Sequence, residues 1–481
     1  MSMEFETIIG LEVHVQLATK TKIFCRCSTE FGNVPNANTC PICLGLPGVL
    51  PVVNEEVVKF AVMLGNATNC YIRQDSQFAR KNYFYPDLPK AYQTSQFDRP
   101  ICENGWIDIM INGKSKRIGI TRIHMEEDAG KLIHDGADPN ASYVDLNRAG
   151  IPLVEIVSEP DIRSADEAKS YMEKIHSIVT YLGICEGNME KGNLRGDANV
   201  SVRPYGQKEL GTRTETKNLN SFRNVQAAIK YEIDRQIDAI LDGEEIVQQT
   251  RLWDANQKIS KALRSKEDSN DYRYFPCPDL PIVKLTESYI RQLTSNLPEL
   301  PDQKQKRFIE EYGLSRYDAA KLVTNRSVAL FFEEIVRQGT DAKPAANWIM
   351  GDFARLLNES RTTIAECNIT ALLLKELLDF IADGTISGKI AKTVFEEMFR
   401  TGKTAKDVIE DKGLKQVSDE EELAKICTSV VADNAKQVDE FRSGKEKVFG
   451  FLVGQVMKRT KGKANPPVVN QLLRDLLSRK K

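Results

Sequence analysis

At 481 residues the chain exceeds one ordinary core, and about 150 residues per domain gives an expectation of two to four domains, which rules out a single small module. The 41% hydrophobic and 28% charged fractions are those of a soluble globular protein, and 66 basic against 68 acidic residues (net −2) give no whole-chain sign of a nucleic-acid partner. No apolar run approaches the roughly 18 residues that span a bilayer, and Met1-Ser2-Met3-Glu4-Phe5-Glu6 lacks a basic flank and an apolar h-region, so no membrane association and a cytoplasmic location are expected.

The first expected strand, Ile8 to Leu17, alternates cleanly. Ile9, Leu11, Val13, Val15 and Leu17 share one face, and Gly10, Glu12, His14 and Gln16 share the other. Glu12 and His14 are then neighbours roughly 7 Å apart, close enough to share a metal ion or a substrate phosphate. The plain alternative is a half-exposed strand with a solvated outer face. Next come Cys25-x-Cys27 and Cys40-x-x-Cys43, two short-spaced pairs across a loop rich in Asn and Pro. Four such thiolates suit tetrahedral Zn²⁺, and because a closed site leaves no position for substrate the expected role is structural; buried or incidental thiols are the alternative.

A helix is expected from about Asn54 to Asn69. Arg80 to Lys90 is a proline-punctuated segment of aromatic and basic residues, and Asp271 to Pro276 resembles it; such loops stack on a base or clamp a substrate, or else plug a core. Asn112-Gly113-Lys114-Ser115 lacks the glycine spacing of a phosphate loop and reads as a hairpin turn. In Ile118 to Asp128, alternation puts Arg122, His124 and Glu126 on the polar face and Glu127 on the other, a choice that a bulge or strand end would reverse. Ser164-x-x-Glu167 is a capping box opening a helix toward Leu182. The strand Gly196 to Arg203 carries Asp197, Asn199, Ser201 and Arg203 on one face, Thr212 to Leu219 carries Arg213, Glu215 and Lys217, and a helix follows from about Phe222 to Leu241. Polar strand faces of this kind suit magnesium-dependent phosphate chemistry, since Mg²⁺ prefers oxygen ligands and keeps several waters.

Beyond residue 290 nearly every segment has helical periodicity, for example Ser327 to Arg337, Ala371 to Ala382 and Glu420 to Ala432, with breaks at Asp383-Gly384, Thr401-Gly402 and Lys412-Gly413. The expected fold class is α+β: an antiparallel β-rich domain, an all-helical domain and a small helical tail. Residues 441–481 hold eleven Lys/Arg and two acids, a local net charge of +9 that leaves −11 for the rest, so a phosphate-backbone contact is expected of the tail.

Together these segments resemble the B-subunit family of the bacterial aspartyl/glutamyl-tRNA amidotransferases (GatB). The resemblance rests on Ile9-Gly10-Leu11-Glu12-Val13-His14-Val15, Arg80-Lys81-Asn82-Tyr83-Phe84-Tyr85-Pro86, His124 to Lys131, Asp145-Leu146-Asn147-Arg148 with Pro152 to Val157, Asp197 to Pro204, Lys217 to Phe222, and Gly450 to Lys458 with Gly462 to Pro466. It implies a cradle domain over 1–292 with the cysteine clip at 25–43, a helical domain over 293–406, and a YqeY-like, tRNA-binding tail over 407–481. The implied activity is ATP-dependent: the side-chain carboxylate of Glu-tRNA(Gln) or Asp-tRNA(Asn) is phosphorylated, then amidated with ammonia that an amidase-like partner (the A subunit) releases from glutamine, while a small third partner (the C subunit) completes a heterotrimer. By motif position the resemblance assigns Glu12, His14, Glu127 and Glu215 to Mg²⁺, with Glu126 and Asp197 as adjacent catalytic candidates, and Lys81 to the ammonia outlet. Asn82, Tyr83, Tyr85, Arg203 and Lys217 are the candidates for binding ATP. A noncatalytic tRNA-binding scaffold is the alternative reading.

Overall fold

The structure is a computed structural model that describes residues 4–134, 141–265, 272–414, 420–460, 464 and 466–478. The chain divides into two compact units, one ending at Pro301 and the other beginning at Asp302. A nine-stranded sheet organises the first. In chain order its strands are β1 (Phe5–Gln16), β2 (Tyr71–Ile72), β3 (Cys102–Ile111), β4 (Lys114–Glu127), β5 (Pro152–Ser158), β6 (Leu194–Pro204), β7 (Thr214–Leu219), β8 (Gln249–Asp254) and β9 (Ile259–Ser265). In space they run β9-β8-β7-β6-β1-β5-β4-β3-β2, so β1 lies at the centre between two strands far from it in sequence. Every neighbouring pair is antiparallel except β7 and β8.

One face of the sheet is apolar. Ile9, Leu11, Val13 and Val15 are buried there against helices α1 (Glu55–Ala67), α2 (Ala165–Leu182) and α3 (Phe222–Leu241), forming the core of this unit. An antiparallel sheet covered on one side leaves its other face for polar side chains, and that face carries Glu12 and His14. The helix starts follow their sequence signals. Asn54, Ser164 and Ser221 each accept a hydrogen bond from an N–H of the first turn. The capping box at α2 is modified: Ser164 accepts from Glu167 N–H, but the Glu167 carboxylate reaches back to Arg163 N–H rather than to that of the cap. Between β3 and β4, Asn112 (φ 51°) and Gly113 (φ 78°) take the paired left-handed conformation of a two-residue hairpin turn. At the end of β4, Glu126 pairs with Leu153 and Glu127 with Pro152, the register shift lying instead at Val157/Ser158, so strand alternation persists to the last residue.

The second unit is helical. Helices Arg326–Arg337, Ala371–Ala382 and Glu420–Asp433 lie where periodicity expects them, and Gly402 (φ 71°) ends a helix in the left-handed conformation that a Cβ disfavours. Two separate cores form within it, one from Phe308 to Ile409 and a smaller one from Leu423 to Leu477. No helix among the described residues is long and apolar enough to cross a membrane. Asp271, part of the Gly462–Pro466 motif, and the tail bases Lys461, Lys463, Arg479, Lys480 and Lys481 lie outside the described residues.

Candidate active site

Cross-strand register assembles the site from five adjacent strands. Glu12 on β1 lies opposite Asp197 on β6, His14 opposite Glu155 on β5 and Arg195 on β6, and Glu155 in turn opposite His124 on β4. Asn199 on β6 faces Glu215 on β7. Because each strand turns alternate residues to one side, all these side chains project from the polar face, which floors a cleft of about 1350 Å³.

Two clusters result. In one, oxygens of Glu12, Asp197 and Glu215 lie within 4.8 Å of one another; in the other, ligand atoms of His14, Glu126 and Glu155 do the same. Lys217 serves the first cluster, its Nζ 2.7 Å from Asp197 and 2.8 Å from Glu215, while Asn199 donates to Glu12 and Thr250 to Glu215. In the second, Glu155 Oε2 is 3.3 Å from His14 Nε2 and 3.5 Å from His124 Nε2, and Glu126 lies 3.5 Å from His14 and 3.7 Å from His124.

Burial disfavours a charge on His14, but the hydrogen bond and charge of Glu155, with the charge of Glu126, outweigh it and push the imidazole up to about 9. His124, also buried, is raised to about 9 by the same two carboxylates. Despite its own burial, Glu155 is held well below the usual carboxylate range by the two histidines. Glu12 moves the other way: burial and the nearby charges of Glu155 and Glu215 raise it, with Lys217 opposing. Like-signed groups with unlike protonation tendencies, held a few ångströms apart in a cleft, are the usual mark of a working site.

Of the residues singled out in the sequence, Glu12, His14, Lys81, Tyr83, Glu126, Asp197, Glu215 and Lys217 all line the cleft. Lys81 comes from the short strand Ala79–Asn82, and its ammonium sits 4.7 Å from the ring centre of Tyr272 and 5.9 Å from that of Tyr83. Glu127 is not brought to this group. It faces a separate cavity of about 220 Å³, where its carboxylate accepts from Lys90 and from Thr94 N–H. Asn82, Tyr85 and Arg203 do not line the cleft: Asn82 donates to the Tyr272 and Arg273 carbonyls, Tyr85 is exposed, and Arg203 pairs with Glu6.

Sequence reasoning missed Glu155, His124 as a partner, and Arg195. Arg195 and Arg148 both bond Asp128 at the cleft wall. A signal for Glu155 existed: it is the one charged residue inside the apolar run Pro152-Leu153-Val154-Glu155-Ile156-Val157, of which Pro152, Leu153, Val154 and Ile156 are buried.

The four clip cysteines converge. Their sulfurs lie within 4.8 Å of one another, and those of Cys40 and Cys43 are 3.9 Å apart. A tetrahedral Zn²⁺ with bonds of about 2.3 Å separates its sulfurs by roughly 3.8 Å, so the set fits the metal. Cys40 N–H donates to Cys43 Sγ at 3.2 Å, the kind of bond that supports a thiolate ligand. A hydrogen bond from Cys25, the backbone bond from Cys40 and the charge of Lys22 bring Cys43 down to about 5 against its burial, whereas Cys25 is pushed well up by its bond to Cys43 and by burial, and Cys27 is raised to about 11, chiefly by burial.

A carboxylate-rich cleft on a mixed sheet, followed by a helical unit, defines the class. Residues 7–291 match the family described as the GatB/GatE catalytic domain, and residues 330–477 match the family described as the GatB domain. The B subunit of the aspartyl/glutamyl-tRNA(Asn/Gln) amidotransferase of Desulfotalea psychrophila is 56% identical over 477 residues, 99% of this chain and 100% of that protein. The protein of the same name from Geobacter sulfurreducens is 58% identical over 473 residues, 98% of this chain and 99% of that one, and that from Carboxydothermus hydrogenoformans is 53% identical over 478 residues, 99% of each. The chain belongs to the B-subunit family of the aspartyl/glutamyl-tRNA(Asn/Gln) amidotransferases.

Proposed function

We propose that this chain is the kinase and transamidase component of a cytoplasmic, tRNA-dependent amidotransferase. It phosphorylates the side-chain carboxylate of Glu-tRNA(Gln), Asp-tRNA(Asn) or both, and amidates it with ammonia supplied by the amidase-like A subunit, in a heterotrimer that the small C subunit completes. The names of its relatives support the amidotransferase role and a place among other subunits. The observation that carries the phosphoryl-transfer reading is the pair of ligand clusters, Glu12/Asp197/Glu215 and His14/Glu126/Glu155, side by side on the floor of one cleft.

Hard carboxylate oxygens in these numbers suit Mg²⁺, which when bound would neutralise charge on the transferring phosphoryl group. Glu12, Asp197 and Glu215, with His14, Glu126 and Glu155 beside them, are the residues that would hold it. A substrate carboxylate oxygen attacks the γ-phosphorus of ATP, the bond from that phosphorus to the bridging oxygen breaks, and ADP departs. Ammonia then attacks the acyl carbon, inorganic phosphate leaves, and the amide sheds one proton. Water has to be kept away so that ammonia is the nucleophile that reaches the acyl phosphate.

Lys81 suits the ammonia side. Burial works against its charge, but Tyr274, Glu126 and Tyr272 outweigh that and hold its pKa up, so it remains a cation inside an aromatic enclosure. Tyr83 and Lys217 are the ATP-binding candidates that face the cleft. The tail over 407–481 is read as the tRNA-backbone contact. Of its described bases, Arg459 and Lys445 pair with Asp433 and Glu440, whereas Lys447, Lys458 and Arg474 make no ion pair with a described carboxylate. The test is ADP formation by the assembled complex with misacylated tRNA. Glu12→Ala and Glu215→Ala should each lower its rate by about 100-fold or more, in the range of losing one transition-state electrostatic contact; undiminished rates in both would overturn the assignment.

A further inference from the structure

We propose that Lys22 is the internal counter-ion of the four-cysteine centre and couples that centre to the wall of the cleft. The inference rests on the zinc reading of the clip and goes beyond it. Lys22 is wholly buried, with 0% of its surface exposed. Its Nζ has two partners, Cys43 Sγ at 3.6 Å and the Leu146 carbonyl at 3.2 Å, and among the described residues it makes no ion pair with a carboxylate.

A buried ammonium bonded only to a neutral thiol and a carbonyl is strongly disfavoured, because neither group replaces the solvation of a full charge, and the carboxylate that lines the same cavity, Glu127, is already engaged by Lys90 and by Thr94 N–H. The arrangement makes sense if the sulfur it faces carries negative charge. Four thiolates around one Zn²⁺ leave a net −2, and one ammonium against Cys43 brings the assembly to −1. The lysine is also bonded to the other half of the clip, its backbone N–H donating to the Cys27 carbonyl at 3.0 Å.

The second bond of Nζ gives the coupling. Leu146 belongs to the Asp145–Arg148 segment, of which Asp145, Asn147 and Arg148 line the cleft. The clip loop grips the same segment: Asn36 N–H donates to Asp145, Leu146 N–H donates to Asn36, and Asn38 N–H donates to Asn147. Clip cysteine, lysine and cleft wall thus form one continuous set of polar contacts. Loss of the metal strands the ammonium and removes the reason for Lys22 to stay in place.

The experiment uses full-length protein purified under reducing conditions. Zinc content is measured by mass spectrometry of the metal, and zinc release to a chromogenic chelator is timed for the wild type, Lys22→Met and Lys22→Arg. About one zinc per chain is expected in the wild type, with release at least tenfold faster in Lys22→Met and close to wild type in Lys22→Arg. Equal release from wild type and Lys22→Met, or equally accelerated release from both variants, overturns the counter-ion role. A wild type that holds no zinc overturns the metal reading itself. A second measurement needs no variant: amine-reactive labelling of the wild type, read by peptide mass spectrometry, should find Lys22 protected with zinc bound and labelled after chelation. Labelling that is the same in both states counts against the proposal even if Lys22→Met does not fold.

Discussion

Replacing Glu232 by alanine tests how the acidic strands are held in place. Glu232 lies on α3, beneath the strands that carry Asp197 and Glu215, and its side chain is fully buried. Its carboxylate accepts from Thr214 at 2.6 Å, from Arg235 Nε at 3.0 Å and from Gln236 at 2.9 Å, with Arg251 Nε 3.4 Å away. Gln236 in turn donates to the Val200 carbonyl, so the network joins α3 to β6 and β7. Removing one partner of a buried charged network costs about 3–5 kcal/mol, because the remaining cations lose their counter-charge. At a urea m-value of about 3 kcal/mol/M for a unit of this size, the midpoint should fall by about 1–1.7 M.

Fluorescence of the buried Trp253 on β8 follows this unit, ideally with Trp106 and Trp348 changed to Phe. The pH dependence supplies a second check. Burial raises the pKa of Glu232, but its bonds from Arg235, Thr214 and Gln236 outweigh that and bring it below the ordinary 4.5. A depressed folded-state value means that the stabilisation is complete above the unfolded value near 4.5 and is lost as pH falls through the folded one. The gap between wild type and Glu232→Ala should therefore be constant above about pH 5.5 and close in more acidic solution. A midpoint shift below about 0.2 M, or a gap that stays constant down to the lowest pH at which both fold, would refute this account of the network.

Other expectations concern the cleft. Glu155→Gln should lower tRNA-dependent ADP formation by about 100-fold or more; a wild-type rate would remove Glu155 from the site. Glu126→Gln should reduce that same rate more than Glu127→Gln does. Glu127→Gln should instead cost about 1–3 kcal/mol of stability, through its bonds to Lys90 and the Thr94 N–H, and the opposite ranking in the ADP assay would favour Glu127 as the ligand. Lys217→Met should remove the cation that pairs with Asp197 and Glu215 and so strengthen the thermal stabilisation given by added Mg²⁺; an unchanged shift would argue that the cation binds elsewhere.

Local pattern made a good part of this site readable. Period-two alternation gave Glu12 and His14 on one face of β1, Asp197 and Asn199 on β6, Glu215 and Lys217 on β7, and Glu126 rather than Glu127 on β4. The helix caps and the Asn112-Gly113 turn were legible because their chemistry lies within a few residues. Strand order was not: nothing in the sequence places β1 between β5 and β6, and only that order brings Glu155 against both His14 and His124. Glu127 illustrates the converse, since a motif position names a residue without saying which way it points, and its partner Lys90 lies 37 residues away. The +9 of residues 441–481 also reads differently once packed. Asp433 and Glu440, just upstream, pair with Arg459 and Lys445, so part of that charge is answered within the helical tail.

If this cleft activates a carboxylate by phosphorylation, an oxygen atom of that carboxylate must end in the phosphate released. With misacylated tRNA carrying ¹⁸O in the glutamyl or aspartyl side-chain carboxylate, the assembled complex, ATP and glutamine, each turnover should place one ¹⁸O in the inorganic phosphate released, and Glu12→Ala should abolish that transfer along with amide formation. Amide product accompanied by phosphate free of ¹⁸O would contradict an acyl phosphate, and with it the role assigned to the two ligand clusters.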